Sequence, residues 1–248
     1  MLSIGELYEL VKKRRSVRGY DFNEGKTIPE EYVEKILEIA RWAPSAGNGQ
    51  PWQFIVIKDE KMREKIVNLY LKQLEHKREM EFALRGERNL RSPGFKNAPV
   101  FILVIGDPRV NEAYPVRTRE EKGFQHFTTG MANATLLIHL AVAALGLGSQ
   151  YVSDASSPYM ATMLKAYFGI PDYYKIYELI PIGYLKKPVP PAPRLELKQL
   201  IHRETFDMKN ARSDQQMKQF IFSITRRWAY GKKDQNAKKP PDLDLENN

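Results

Sequence analysis

Apolar residues return every three or four positions from Ser3 onward, with Ile4, Leu7, Tyr8 and Val11 on one side, and this spacing predicts a helix over 3–14. A second helical pattern runs to about Trp42. Thr27 with Glu30 makes a capping-box pattern at its start, Pro29 sits in the first turn, and Val33, Ile36, Leu37 and Ala40 point inward. QFIVIK at 53–58 reads as a strand, and the charged amphipathic run at 59–84 reads as a long helix. PVFILVIG at 99–106 is apolar without alternation, the pattern of a strand buried on both faces. The periodicity then breaks. Residues 107–124 are polar and predict an irregular loop of the length that serves as a lid. Residues 127–148 are the most apolar stretch and predict a central buried helix ending at Gly146. A short strand (149–153), a helix from Ser157-Pro158 to the stop at Gly169 and Pro171, and a strand at 174–184 follow. Beyond the Pro-rich KKPVPPAPR, a short helix near 195–202 and a last amphipathic helix within 214–230 are expected. Helix and strand alternate without βα regularity and without internal repeats, so the expected fold class is α+β around one mixed sheet.

Composition narrows this frame a little. The 248 residues suffice for one large or two small domains, and 42 % hydrophobic content supports a real core. No run looks long enough to cross a bilayer, and the N-terminus places its charge after its apolar part, the reverse of a secretory signal. The absence of cysteine excludes disulfides, a thiolate nucleophile and Cys-based metal sites. A cytoplasmic enzyme fits, with no membrane partner. The net charge of +9 concentrates in KKRRSVR at 12–18 and in a tail that also carries Asp234, Asp242, Asp244 and Glu246, so the tail (231–248) reads as a disordered, solvated extension. A basic nucleic-acid-binding protein could use the same clusters, but base-stacking aromatics do not interleave with the cations.

No Gly-rich phosphate loop, H-E-x-x-H or G-x-S-x-G motif is present, and His76, His126, His139 and His202 are scattered. His139, inside the apolar helix, reads as a satisfied core histidine. The chain's own side chains therefore offer no obvious nucleophile and base, and a cofactor could carry the chemistry. Four segments suggest one. Arg14, Arg15 and Arg18 bracket Ser16; guanidinium forks with a hydroxyl can clamp a phosphate, although cations at a helix end also simply complement its dipole. RWAPSAGNGQPWQF at 41–54 supplies Ser45, Asn48 and Gln50, whose amides can read a planar heterocycle's edge or build an ordinary Asn-Gly turn. GLGSQY at 146–151 could bring bare backbone to a ligand or be a plain C-cap. Arg194, after a rigid Pro segment, could be a surface residue or a second phosphate donor. A ligand with a phosphate at one end and a flat polar ring at the other satisfies all four, and flavin mononucleotide (FMN) has that shape.

RRSVR, APSAGNGQPWQF, ALGLGSQYV and IPIGY…PAPR, in this order, resemble the FMN-dependent nitroreductase family over roughly residues 5–205. The resemblance implies a nitroreductase-like α+β fold, a central mixed or antiparallel sheet flanked by helices, and an intertwined homodimer with FMN at its interface. It implies that Arg14, Arg15, Ser16 and Arg18 bind the ribityl phosphate and one flavin edge, joined by Arg194. Pro44, Ser45, Ala46, Asn48 and Gln50 would line the ring from the other subunit, with Gly148 and Ser149 near the flavin face or edge. Trp42 and Trp52 would pin the loop to the core. The implied reaction passes hydride from NADH or NADPH through flavin N5 to a nitroaromatic, quinone or similar flat acceptor in a ping-pong cycle, with no protein acid or base required. Specialised members of the family, such as deiodinases, are an alternative, but their full residue set is not evident. The lid expected over 107–127, with Tyr114, Arg117, Arg119, Phe124, His126 and Phe127, shows no subfamily pattern. Residues 1–205 would form the FMN-binding domain and 206–230 a helical extension, which either wraps a partner through Phe220, Phe222 and Trp228 or caps its own chain.

Overall fold

The computed structural model describes residues 3–17, 22–85 and 94–221. They form two compact units, Met1–Leu74 with Ser92–Val189, and Glu75–Arg91 with Pro190–Asn248. The first unit is built on a sheet of β1 (Trp52–Ile57), β2 (Val100–Gly106), β3 (Gly148–Ser149) and β4 (Lys175–Gly183), in the order β1-β2-β4-β3. Every named pair is antiparallel, so of the expected mixed or antiparallel sheet it is the antiparallel form that folds; among the described residues, parallel pairing is confined to the bridge between Ser16 and Ser149.

β2 is buried along its whole length, as its unbroken apolar run implies. Side chains alternate across a strand. Phe101, Leu103 and Ile105 therefore enter one core, where Ile66, Val67 and Leu69 of α3 (Glu60–Arg85) and Met160 and Leu164 of α5 (Pro158–Phe168) meet them. Val100, Ile102 and Val104 enter the other core, closed by Val33 and Ile36 of α2 (Glu30–Ala40) and by Met131, Ala134 and Ile138 of α4 (Val116–Ala144). α1 (Ile4–Lys13) has a complete capping box: Ser3 Oγ accepts from the Glu6 N–H at 3.2 Å and Glu6 Oε2 accepts from the Ser3 N–H at 2.7 Å. Yet none of its residues is buried, and Ile4 is 83 % exposed. The predicted apolar stripe is present but largely unburied: Leu7, Tyr8 and Val11 are 40 %, 60 % and 50 % exposed.

Several expectations are corrected. The Thr27–Glu30 box does not form, because Pro29 itself is the N-cap of α2 and offers no side-chain acceptor. The expected lid loop is helical. Asp107 accepts from the Arg109 N–H at 3.0 Å and starts a 3-10 turn at Pro108–Ala113; α4 then begins directly after Pro115. This polar first part is an exposed helix face supported by the Arg117–Glu121 pair one turn apart, which sequence polarity alone makes resemble a loop. α4 also contains a stretch apolar enough to cross a membrane by length and composition, contrary to expectation; more than half of it is buried in the fold, as in a core helix. Trp52 is buried, but Trp42 is 71 % exposed, donating to Glu38 and lying against Arg41, so only one tryptophan pins the loop to the core.

The second unit, taken by itself, holds the C-terminal part of α3, 3-10 turns at Leu197–Gln199 and Met208–Asn210, and α6 (Asp214–Phe220). The helix expected over 195–202 is thus a single 3-10 turn. Residues 222–248, with Phe222, Trp228 and the tail, lie outside the described residues, as does Arg18.

Candidate active site

The first cluster forms where α1 ends. Arg14 leaves helical geometry (φ −58°, ψ 131°) while its N–H still reaches Leu10 O. The chain that follows is extended: Ser16 bridges Ser149, and the Val17 N–H donates to Ser149 O at 2.9 Å. Arg14, Arg15 and Ser16 are thereby laid along the β3 edge of the sheet. Arg15 donates to the carbonyls of Val189 (3.2 Å), Arg14 (2.9 Å) and Lys12, so its guanidinium braces the chain itself. Gly148 is bare for a packing reason: a Cβ there would stand 2.4 Å from Leu185 Cδ2 and 2.6 Å from Val17 Cγ2, too close for the 16–17 segment to pair. Ser149 is buried, with its Oγ 2.7 Å from His139 Nδ1. Burial, aided by the nearby charge of Arg14, pushes the His139 imidazole down to about 4, so it is neutral at physiological pH. Its Nε2 has no partner among the described residues, so the histidine is only half satisfied.

The second cluster is the 44–50 loop. Gly47, Asn48 and Gln50 all have positive φ (55°, 54° and 46°), a conformation that non-glycine residues adopt only when their surroundings enforce it. The enforcement is visible. The Gln50 N–H donates to Ser45 Oγ (3.0 Å), the Asn48 and Gly49 N–H groups donate to Ser45 O and Ala46 O, and the Tyr114 hydroxyl donates to Ala46 O at 2.5 Å. From α4, Asn133 donates to Pro44 O at 2.9 Å. The amides of Asn48 and Gln50 are left at the exposed tip. Between this loop and α4 lies an open cleft of about 460 Å³, lined by Pro44, Ser45, Ala46, Lys122, Gln125, His126, Thr129 and Asn133.

The structure therefore brings Arg14, Ser16 and Ser149 together, and Pro44, Ser45 and Ala46 together, but it keeps the two groups apart. Their anchors on α4, His139 and Asn133, are six residues apart. That is about 9 Å along the helix and roughly 120° around it. Arg194 belongs to the second unit, where it is exposed and donates to Ala192 O and Pro193 O. Of the cleft residues of α4, only His126 was singled out in the sequence, as part of the expected lid; Lys122, Gln125, Thr129 and Asn133 were missed. Their spacing at 122, 125, 126, 129 and 133 is a polar stripe on one helix face, a signal that an assumed loop hides.

Helices flanking an antiparallel four-stranded sheet, with guanidinium and hydroxyl donors at the sheet edge and an amide-bearing loop braced on the central helix, make this an α+β protein with a candidate ligand site. The chain matches the Nitroreductase family over residues 11–184, more than half its length, and belongs to that family. It is 29 % identical over 181 residues to a candidate NADH dehydrogenase/NAD(P)H nitroreductase of Archaeoglobus fulgidus, covering 73 % of this chain and 86 % of the relative. Mouse iodotyrosine deiodinase 1 is 30 % identical over 210 residues, 79 % of this chain and 68 % of the relative. Among solved structures, iodotyrosine deiodinase bound to FMN and 3-iodo-L-tyrosine superposes with a TM-score of 0.63 at 25 % identity, covering 81 % of this chain and all of that one (100 %).

Proposed function

We propose that the chain is a cytoplasmic FMN-dependent oxidoreductase that takes hydride from NADH or NADPH and passes it to a nitroaromatic, quinone or similar flat acceptor, acting as a homodimer with a flavin site at each interface. The observation that carries this is the separation of the two clusters on α4 in a chain whose α1 stripe is uncovered. Each cluster is half of a pocket, and a second copy would supply the other half. The donor chemistry fits FMN: the Arg14 guanidinium and Ser16 hydroxyl suit a phosphate, and the Asn48 and Gln50 amides suit a heteroaromatic edge. Bound FMN supplies the hydride transfer. Arg14 and Ser16 would hold the phosphate, with Arg15 fixing the backbone around them and Arg194 and Arg18 as further cations. Pro44, Ser45, Ala46, Asn48 and Gln50 of the partner would line the ring, near Gly148 and Ser149. Guanidinium charge near a bound flavin would favour its reduced, anionic form. Neutral His139 fixes the Ser149 hydroxyl.

Membership of the family and the FMN-bound deiodinase structure support this reading. Identity with mouse iodotyrosine deiodinase also favours a second one, reductive dehalogenation at the same site. The deciding experiment is the visible spectrum of protein purified without added flavin, with the pigment released and identified. FMN near one per chain supports the reading; a colourless protein that takes up no FMN defeats it. Turnover of a nitroaromatic against an iodophenol then separates the two reactions.

A further inference from the structure

Lys122 stands out on α4. The neighbouring cations of the exposed helix face are neutralised: Arg117 pairs with Glu121 at 2.8 Å and Arg119 with Glu120 at 3.2 Å. Lys122 has no ion-pair partner among the described residues, and it lines the cleft beside the 44–46 turn, where no lining residue is a carboxylate. A second unsatisfied group lies next to it. His126 Nδ1 is buried without a hydrogen-bond partner among the described residues, and its ring is held edge-on by Tyr114, 5.1 Å between centroids at 76°. Tyr114 is itself tied to the loop through Ala46 O. Gln125 and Thr129 add neutral donors, whereas the Asn133 amide is committed to Pro44 O. Pro44 and Ala46 make one wall apolar. The cleft thus has a surface for a flat ring and, one helical turn away, a donor-rich end with one uncompensated positive charge.

We propose that this cleft receives the acceptor and that Lys122 selects acceptors carrying an anionic group, with an aromatic carboxylate as the matching class. The inference rests on the flavoprotein reading for the chemistry. For the selection it rests on charge alone. The ammonium faces open solvent, so the preference is modest: an exposed pair of this kind gives roughly a fivefold effect at most, and salt weakens it. Lys122 positions the acceptor and takes part in no bond-making step.

The test uses the FMN-loaded protein with p-nitrobenzoate and its uncharged counterpart p-nitrobenzamide. Binding is followed by calorimetry without reductant, and turnover separately. The acid should bind more tightly than the amide by roughly fivefold at low salt, and Lys122→Met should erase that difference. In turnover, Lys122→Met should raise KM for the acid while leaving kcat and the KM for the amide unchanged, and Lys122→Arg should restore part of the preference. Equal binding of acid and amide by the natural protein overturns the proposal, as does a preference that survives Lys122→Met. If Lys122→Met instead removes only a preference for NADPH over NADH, the charge serves the phosphate of the reductant and the acceptor proposal falls. Failure of the flavoprotein reading shows separately, as protein without FMN, and calorimetry of the acid and amide on that protein still decides the charge selection.

Discussion

Glu178 has no exposed surface and sits opposite Val104 in the sheet, its carboxylate oxygens without a hydrogen-bond partner among the described residues. Burial pushes its carboxyl up to about 9, from 4.5; the nearby Tyr151 hydroxyl and Val152 N–H, outside hydrogen-bond geometry, act in the opposite direction. A group whose folded value is raised favours the fold fully while both states are protonated, and that contribution is lost as pH rises from 4.5 toward 9. His139 works in the opposite sense: held neutral, with a folded value near 4 against 6.5, it destabilises the fold as pH falls through that window. Between 4.5 and 6.5 the two slopes oppose each other; above 6.5 the Glu178 slope stands alone. Stability measured by urea unfolding should therefore fall between pH 7 and 9, by no more than about 1.4 kcal/mol per pH unit. Glu178→Gln should flatten that fall and be the more stable protein at pH 8. A slope unchanged by Glu178→Gln would assign the effect elsewhere.

At the scale of elements, the 44–50 loop stores strain that its braces hold in place. Asn48→Gly suits φ 54° and should leave the melting temperature unchanged or slightly raised, whereas Asn48→Val should lower it by the equivalent of about 1–3 kcal/mol. Both lose the amide, so both should weaken FMN retention, which separates the side chain's chemistry from its backbone role. Tyr114→Phe removes only the donor to Ala46 O and should cost about 1 kcal/mol in thermal unfolding. The sequence announces the loop's composition but not these left-handed residues, because Asn-Gly is compatible with several turns and the enforcing partners, Tyr114 and Asn133, lie far along the chain. Elements that bury an apolar run or a helical stripe were legible: β1, β2, β4, α2, α3 and α5 fall within a few residues of their expected bounds. The first turns of α4 were not, since an exposed polar helix face and a polar loop share a composition. The candidate site is read in the sequence as residue types, the arginines and the amides. Its division into two separated halves depends on how α4 turns between Asn133 and His139, which no local pattern encodes.

At the scale of the whole molecule, the apolar face of α1 is the surface through which the proposed dimer would bring the two clusters together. Leu7, Tyr8 and Val11 are exposed beside Ile4, although a capping box and basic last turn make α1 a well-specified helix. An amphipathic helix gains most of its stability by burying such a stripe, at about 25 cal/mol per Å² of apolar surface. A chain that spends four apolar residues on an uncovered face therefore points to burial against another copy, immediately before the Arg14–Ser16 segment. Placing charges there should break the assembly without touching either core. Leu7→Glu combined with Val11→Glu should convert a dimer to a monomer in sedimentation or light scattering, at a far-ultraviolet circular dichroism signal close to that of the unaltered chain. FMN should be lost in the same step, because each pocket would then lack the partner's 44–50 loop. A monomer that keeps its flavin would show that one chain builds the whole site, and a dimer that survives both charges would move the interface away from α1.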